Sequence, residues 1–197
     1  MQDRKSPCIP SARVLFFRMA IPQPIKPVKL IIAALFADAT RLQLAQRELT
    51  AAFGVIDYVS PLVPFEATHY YVQELGAPIV RLFYAFEQLL APEDLPAIKL
   101  RSNAIEQTLA VAGKRCINLD PGYLDTDKFV LASAKYQGHK IYLREGIWAD
   151  MTLHYEKGRF TALPWSFPDF KSGAYEKAFV HIREIYKKQL QSLERAA

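Results

Sequence analysis

The chain has 197 residues, 51% hydrophobic and 23% charged, the proportions of a globular protein long enough to bury a core. No apolar run approaches the roughly 18 residues that span a bilayer, and Arg18 cuts short Val14-Leu15-Phe16-Phe17, so neither a membrane span nor a signal peptide is expected and the cytoplasm is the default location. The net charge of +5 is concentrated near the start, where Arg4, Lys5, Arg13, Arg18 and Lys26 face only Asp3, so the rest carries +1 and nucleic acid is disfavoured as a partner except through that basic leader.

Residues 1–25 read as a disordered leader and residues 26–193 as one α+β domain, with Met19 opening a second natural start, "MAIPQPIKPVKL". The two cysteines, Cys8 and Cys116, form no CxxC pair, so neither a disulfide scaffold nor a structural zinc site is expected. "VKLIIAALFA" (28–37) is a continuous apolar run, the mark of a strand covered on both faces. Asp38 ends it, and Thr40-x-x-Gln43 reads as a capping box opening a helix that Gly54 stops. "VIDYVSPLVPF" (55–65) is an edge strand broken by Pro61 and Pro64, and "EATHYYVQELG" (66–76) a short helix. Next come a strand at 78–86, a helix at 92–113 with Pro near its start and Gly at its end, and a strand at 114–120.

Pro121-Gly122 reads as a turn, with Gly122 supplying either φ > 0 or a close backbone approach. Asp125, Thr126 and Asp127 read as caps for a helix "KFVLASAKY" (128–136). On such a helix Lys128 and Lys135, seven apart, share one face. A meander over 139–163 follows, then a helix over 172–193 with Tyr175, Phe179, Ile182, Tyr186, Leu190 and Leu193 as its buried stripe. The order suits a ferredoxin-like α+β sandwich carrying a C-terminal meander and a final helix, with a three-layer α/β fold as the alternative.

Alternation on the strand at 114–120 puts Asn118 and Asp120 on the face opposite Ile117 and Leu119. Asp120, Lys135 and His139 are then candidates for a working cluster, with His139 suited to general acid–base chemistry. Lys128, Lys135 and Arg144 suit an anion, and Tyr123 or Trp165 a stacked ring. In the meander Ile147, Ala149, Met151, Leu153 and Tyr155 read as a core face, with Asp150 on the polar face opposite. Phosphate-loop, GxGxxG, GxSxG and HExxH motifs are missing, and the four histidines have no ligand-pair spacing, so no metal is expected and no cofactor is indicated.

Six stretches together resemble a known prokaryotic family: "KPVKL" (26–30), "FGVIDYVSPLVPFEATHYYVQELG" (53–76), "NLDPGYL" (118–124), "KFVLASAK" (128–135), "HKIYLREGIWADMTL" (139–153) and "LPWSFPDF" (163–170). The family is domain of unknown function 4416. The resemblance implies a small cytoplasmic protein of unestablished activity, and members often carry the label "GTP-binding protein". The chain has no NKxD guanine-reading motif, so a guanine nucleotide would not be held by the usual GTPase machinery. The family pattern matches at Asp120, Gly122, Tyr123, Lys128, Lys135, His139, Gly146 and Trp165, and departs at Asp125, Asp127 and Asp150. The functional expectation is a protein that binds, and acts on, an anionic or phosphorylated nucleotide-like molecule. Its rival is a non-catalytic RNA- or protein-interaction module that self-associates.

Overall fold

The structure is a computed structural model that describes residues 20–196; the expectations for residues 1–18 and for Cys8 lie outside the described residues. Val28–Phe36 forms β1, and all nine of its residues are buried. Such a strand needs cover on both faces, and the fold supplies it. Leu30, Ile32 and Ala34 pack with Ala45, Leu49, Ile98 and Ile105 on one side. Ile31 and Ala33 pack with Phe179, Ile182 and Tyr186 on the other.

The elements after β1 are α1 (Ala39–Phe53), β2 (Ile56–Val59), β3 (Val63–Pro64), α2 (Val72–Leu75) and β4 (Val80–Leu90). A 3-10 turn (Pro92–Asp94) leads into α3 (Leu95–Thr108), then β5 (Ile117–Leu124) and β6 (Lys128–Ser133). The meander is β7 (Ile141–Arg144), β8 (Ile147–Glu156) and β9 (Arg159–Ala162), followed by α4 (Pro168–Lys171) and α5 (Glu176–Ala196). One antiparallel sheet runs in the order β2-β4-β1-β5-β6-β8-β7, with β3 on β4 and β9 on β8. The first half is a β-α-β-β-α-β unit with α1 and α3 on one face, the ferredoxin-like arrangement. The C-terminal helix covers the opposite face, so the α+β sandwich has a third layer.

Three local expectations are corrected. Asp38, not Thr40, caps α1, its carboxylate accepting the Thr40 N–H at 2.7 Å. Residues 128–133 are a central strand rather than a helix. Phe129 and Leu131 pack toward α5, while Val130 and Ala132 pack against Leu95 on the α3 side. A strand buried on both faces shows a continuous apolar run and no period of two, so helix and strand looked alike there. Asp125 does cap, but it caps a hairpin: its Oδ1 accepts from the backbone N–H groups of Asp127 and Lys128, both at 2.8 Å. Finally, Pro121-Gly122 is not a turn but the middle of β5.

The meander's strands are as expected, but its faces are not. Phe129 pairs with Leu153 and the next residue, Val130, pairs with Met151, so Thr152 is a β-bulge. Ile147, Ala149 and Met151 therefore pack on the α3 side, whereas Leu153 and Tyr155 pack toward α5. Ahead of the bulge Asp150 stands opposite Leu131 and is buried. On α5 the expected stripe is buried at Phe179, Ile182 and Tyr186, with Tyr175 just ahead of the helix, but has run out by Leu193, which is half exposed. Among the described residues no helix is long and apolar enough to cross a membrane.

Candidate ligand-binding cavity

The site begins with a gap in the sheet. β5 pairs with β1 along its whole length but with β6 only from Gly122 to Leu124. Pro121 has no N–H to give, so the ladder toward β6 cannot run through it. Two residues earlier, Leu119 points its backbone groups to the same edge and finds side chains of α3 instead of a strand. Its N–H donates to Glu106 Oε1 at 2.5 Å, and its carbonyl accepts from Lys99 Nζ at 3.1 Å. Lys99 and Glu106 are seven apart on a real helix, so both reach the gap from one face of α3.

Lys99 Nζ also lies 3.1 Å from Asp120 Oδ1, and Asn118 Nδ2 donates to Asp120 Oδ2 at 2.6 Å. Arg115 donates to Asn118 Oδ1 (3.0 Å), Glu106 Oε2 (3.1 Å) and Glu74 Oε2 (2.6 Å), joining α2, α3 and β5. Burial works against the charge of Asp120, but Lys99, Arg81 and the hydrogen bonds from Lys99 and Asn118 outweigh it and hold its pKa below the usual carboxylate value. At Glu106 burial prevails and raises the pKa in spite of Lys99, the Leu119 N–H and Arg115. Burial, with Asp120 nearby, pushes Tyr71 up to about 12.

These groups line one side of a cavity of about 750 Å³. A second side is built on β6 and β8. Lys140 Nζ donates to Ser133 Oγ at 2.8 Å and stands 3.2 Å from Asp150 Oδ2. Phe65, Tyr70 and Tyr71 form an aromatic wall, and Phe167 and Phe170 also line the cavity. Arg81 sits under this wall, 3.1 Å from Asp169 and within 5.9 Å of the ring centres of Phe65, Phe170 and Tyr175. Lys135 lies at the mouth, 5.1 Å from the centre of the Tyr70 ring. Another, open concavity of about 680 Å³ on the outer face of α1 has no buried polar lining.

Among the described residues seven charged side chains belong to buried residues, and six of them line this cavity: Arg81, Lys99, Glu106, Lys140, Asp150 and Asp169. Lys29 is the seventh. It is held by Asp57 Oδ2 (2.6 Å), the Phe86 carbonyl (2.8 Å) and Gln189 (3.0 Å), and ties α5 to the sheet. Each buried cavity ion has a partner: Arg81 with Asp169, Lys99 with Asp120, Glu106 with Arg115, Lys140 with Asp150. Lys135 is the lining cation that has no carboxylate partner among the described residues.

Of the residues expected from sequence, Asn118, Asp120, Lys135 and Asp150 line the cavity. His139 does not. It stands behind Asp150, its Nε2 3.4 Å from Asp150 Oδ1, and stacks on Trp165 at 5.2 Å. Trp165 in turn donates to the Met151 carbonyl at 2.9 Å. Tyr123 faces the α3 side with Leu95, and Arg144 meets only its neighbour Glu145, at 3.8 Å. Lys128 pairs with Asp125 at the hairpin, and with roughly 3.3 Å per strand residue it lies roughly 20 Å from Lys135. The shared lysine face does not exist, because there is no helix to carry it. Gly122 serves packing rather than a positive φ: a Cβ there would lie 2.5 Å from the Val130 carbonyl oxygen.

Sequence reading missed Arg81, Lys99, Glu106, Arg115 and Lys140; Asp169, which it offered with Trp165 as a pocket rim, does line the cavity, and Trp165 does not. The signals were a lone Arg inside the apolar run "IVRLFYAF" and the seven-residue spacing of Lys99 and Glu106 on a helix whose other face is apolar. Among the described residues no group of three His, Cys, Asp or Glu side chains is placed to hold a metal ion.

Fold and cavity together define an α+β sandwich whose antiparallel sheet is opened between β5 and β6 by a charged, aromatic-walled cleft. The chain belongs to the family described as a domain of unknown function, DUF4416, whose profile matches residues 26–186. No curated protein and no solved structure gives a significant match.

Proposed function

We propose that the cleft between β5 and β6 binds a small anionic, nucleotide-like molecule, with a planar ring against the aromatic wall and an anionic arm at Lys135. The observation that carries this reading is the gathering of six buried charged side chains around one cavity. Withdrawing an ion from water costs several kcal/mol, and an apolar replacement of a buried pair is often as stable or more so. Core stability alone therefore does not account for four ion pairs in one place, whereas recognition of a polar ligand does. Lys135 supplies the charge that no carboxylate among the described residues neutralises. Asp120, its side chain 29% exposed and its pKa held low, offers an acceptor to a ligand N–H. A second ammonium beside it would meet Lys99 and Arg81, so the fitting donor is a neutral ring or amino N–H. His139 acts through Asp150, as a positioning residue.

The test is thermal denaturation against mononucleotides, GTP among them, and phosphorylated sugars. We expect at least one to raise the Tm and Lys135→Ala to abolish that rise. Lys135 is exposed, so the variant should keep the unliganded Tm. No rise with any compound, or an equal rise in the variant, would overturn the reading.

A further inference from the structure

A second observation concerns the cavity's surroundings. Five aromatic side chains among the described residues are strongly exposed: Tyr70 (63%), Tyr136 (67%), Tyr142 (54%), Trp165 (44%) and Phe167 (50%). They come from four segments along about 100 residues of chain, yet two line the cavity and the other three are linked to its lining through a neighbouring residue. Tyr70 and Phe167 line the cavity themselves. Tyr136 lies between the lining residues Lys135 and Gln137 and packs edge-on against Trp148 at 5.0 Å. Tyr142 packs against the same indole, also at 5.0 Å, and Trp148 pairs across the sheet with the lining residue Ser133. Trp165 stacks on His139, which reaches the lining residue Asp150.

A ligand no larger than the cavity has no use for Tyr136 and Tyr142, which lie outside it. Exposed aromatic surface costs solubility, and a collar of it around a site marks a ligand that extends over the rim. Cations stand among the rings, Lys135 beside Tyr136 and Arg144 two residues after Tyr142. Sequence-tolerant single-strand binding stacks bases on aromatic faces beside cations that meet the phosphates. The charge of the chain after the leader is only +1, so a duplex held by its phosphates does not fit. Stacking does not need a large charge.

Resting on the reading above, we propose that the cavity takes one nucleotide of a single-stranded nucleic acid and that Tyr136 and Tyr142, braced on Trp148, stack the nucleotides beside it. This departs from the expectation that disfavoured nucleic acid, which weighed net charge and looked for a contiguous aromatic-basic signature, and so did not anticipate dispersed aromatics converging.

The experiment is fluorescence anisotropy of the full chain with a labelled, 5′-phosphorylated single-stranded hexaribonucleotide, competed by the mononucleotides it contains. We expect the oligonucleotide to bind at least ten-fold more tightly than any mononucleotide. Tyr136→Ala and Tyr142→Ala, both at exposed positions, should each weaken it about five-fold, in keeping with stacking energies, and leave any mononucleotide Tm shift unchanged. The loss caused by these substitutions should persist at high salt, with log K against log salt falling by about 1 to 2 for two phosphate contacts. A steep salt dependence that ignores the tyrosines would mean binding by the basic leader and would overturn the proposal. So would oligonucleotide affinity equal to that of the mononucleotide, or displacement by polyglutamate as effective as by unlabelled oligonucleotide, which would assign the collar to a protein partner. Mononucleotide binding without tyrosine-dependent oligonucleotide binding defeats the collar alone. Tyrosine-dependent oligonucleotide binding that is indifferent to Lys135→Ala defeats the cavity reading alone.

Discussion

Asp120 shows how a single residue can be both strained by its surroundings and useful in them. Burial opposes its charge, yet Lys99, Arg81 and Asn118 keep it ionised below the ordinary carboxylate range. A carboxylate with a depressed native pKa adds stability that is present above its unfolded value, about 3.9. That contribution is lost as pH falls through the lower native value. Asp120→Asn should therefore lower stability at neutral pH, where it strands Lys99, and should make the fall in stability below about pH 4 shallower than in the wild type. Urea denaturation at a series of pH values checks this; parallel acid limbs for the two proteins would contradict it. Asp120 was legible in the sequence because strand alternation put it opposite Leu119. Asn118 was legible with it, but its ionic partners were not, since Lys99 lies 21 positions away and nothing local in the sequence joins them.

At the scale of elements, the gap between β5 and β6 depends on two adjacent residues with opposite tasks. Pro121 withholds the N–H that would continue the ladder, and Gly122 lets the strands close immediately beyond it. A methyl group at 122 would meet the Val130 carbonyl at 2.5 Å and the Phe129 ring at 2.8 Å. Both belong to a central strand packed on each face, so they have little room to yield. Gly122→Ala should cost about 1–3 kcal/mol as overpacking, read as a lower denaturant midpoint; an unchanged midpoint would show that the hairpin relaxes freely. Most elements could be read from the sequence, because amphipathic helices and paired turns announce themselves in their periods and end residues. β6 could not, since an apolar run of four residues carries no period. The bulge at Thr152 was hidden as well, and it alone moved Leu153 and Tyr155 to the other face of the sheet.

For the whole molecule, the ferredoxin-like half was legible through its β-α-β-β-α-β order and the final helix through its apolar stripe, but that this helix covers the opposite sheet face as a third layer was not. The cavity was legible only in fragments. Asn118, Asp120 and Asp150 were foreseen as polar residues at a strand end or on a polar face, and Lys135 for a helix that does not form, while the ion pairs that enclose them come largely from α3, β4 and α4. Charges distributed over distant elements leave no motif, so composition and spacing could not collect them. Among the described residues the other charges of the cavity are mutually paired and Lys135, at its mouth, has no carboxylate partner, the arrangement on which the proposed anion site rests.

The most direct test of that claim is a chemical-shift map. At 22.4 kDa the protein suits two-dimensional amide spectra. Titration with the compound that most raises the Tm, or with GTP and AMP if none does, should move the amides of Tyr71, Asn118, Asp120 and Lys135 and leave those of α1 in place. Spectra that do not change, or shifts confined to the outer face of α1 around Gln46 and Thr50, would contradict the account.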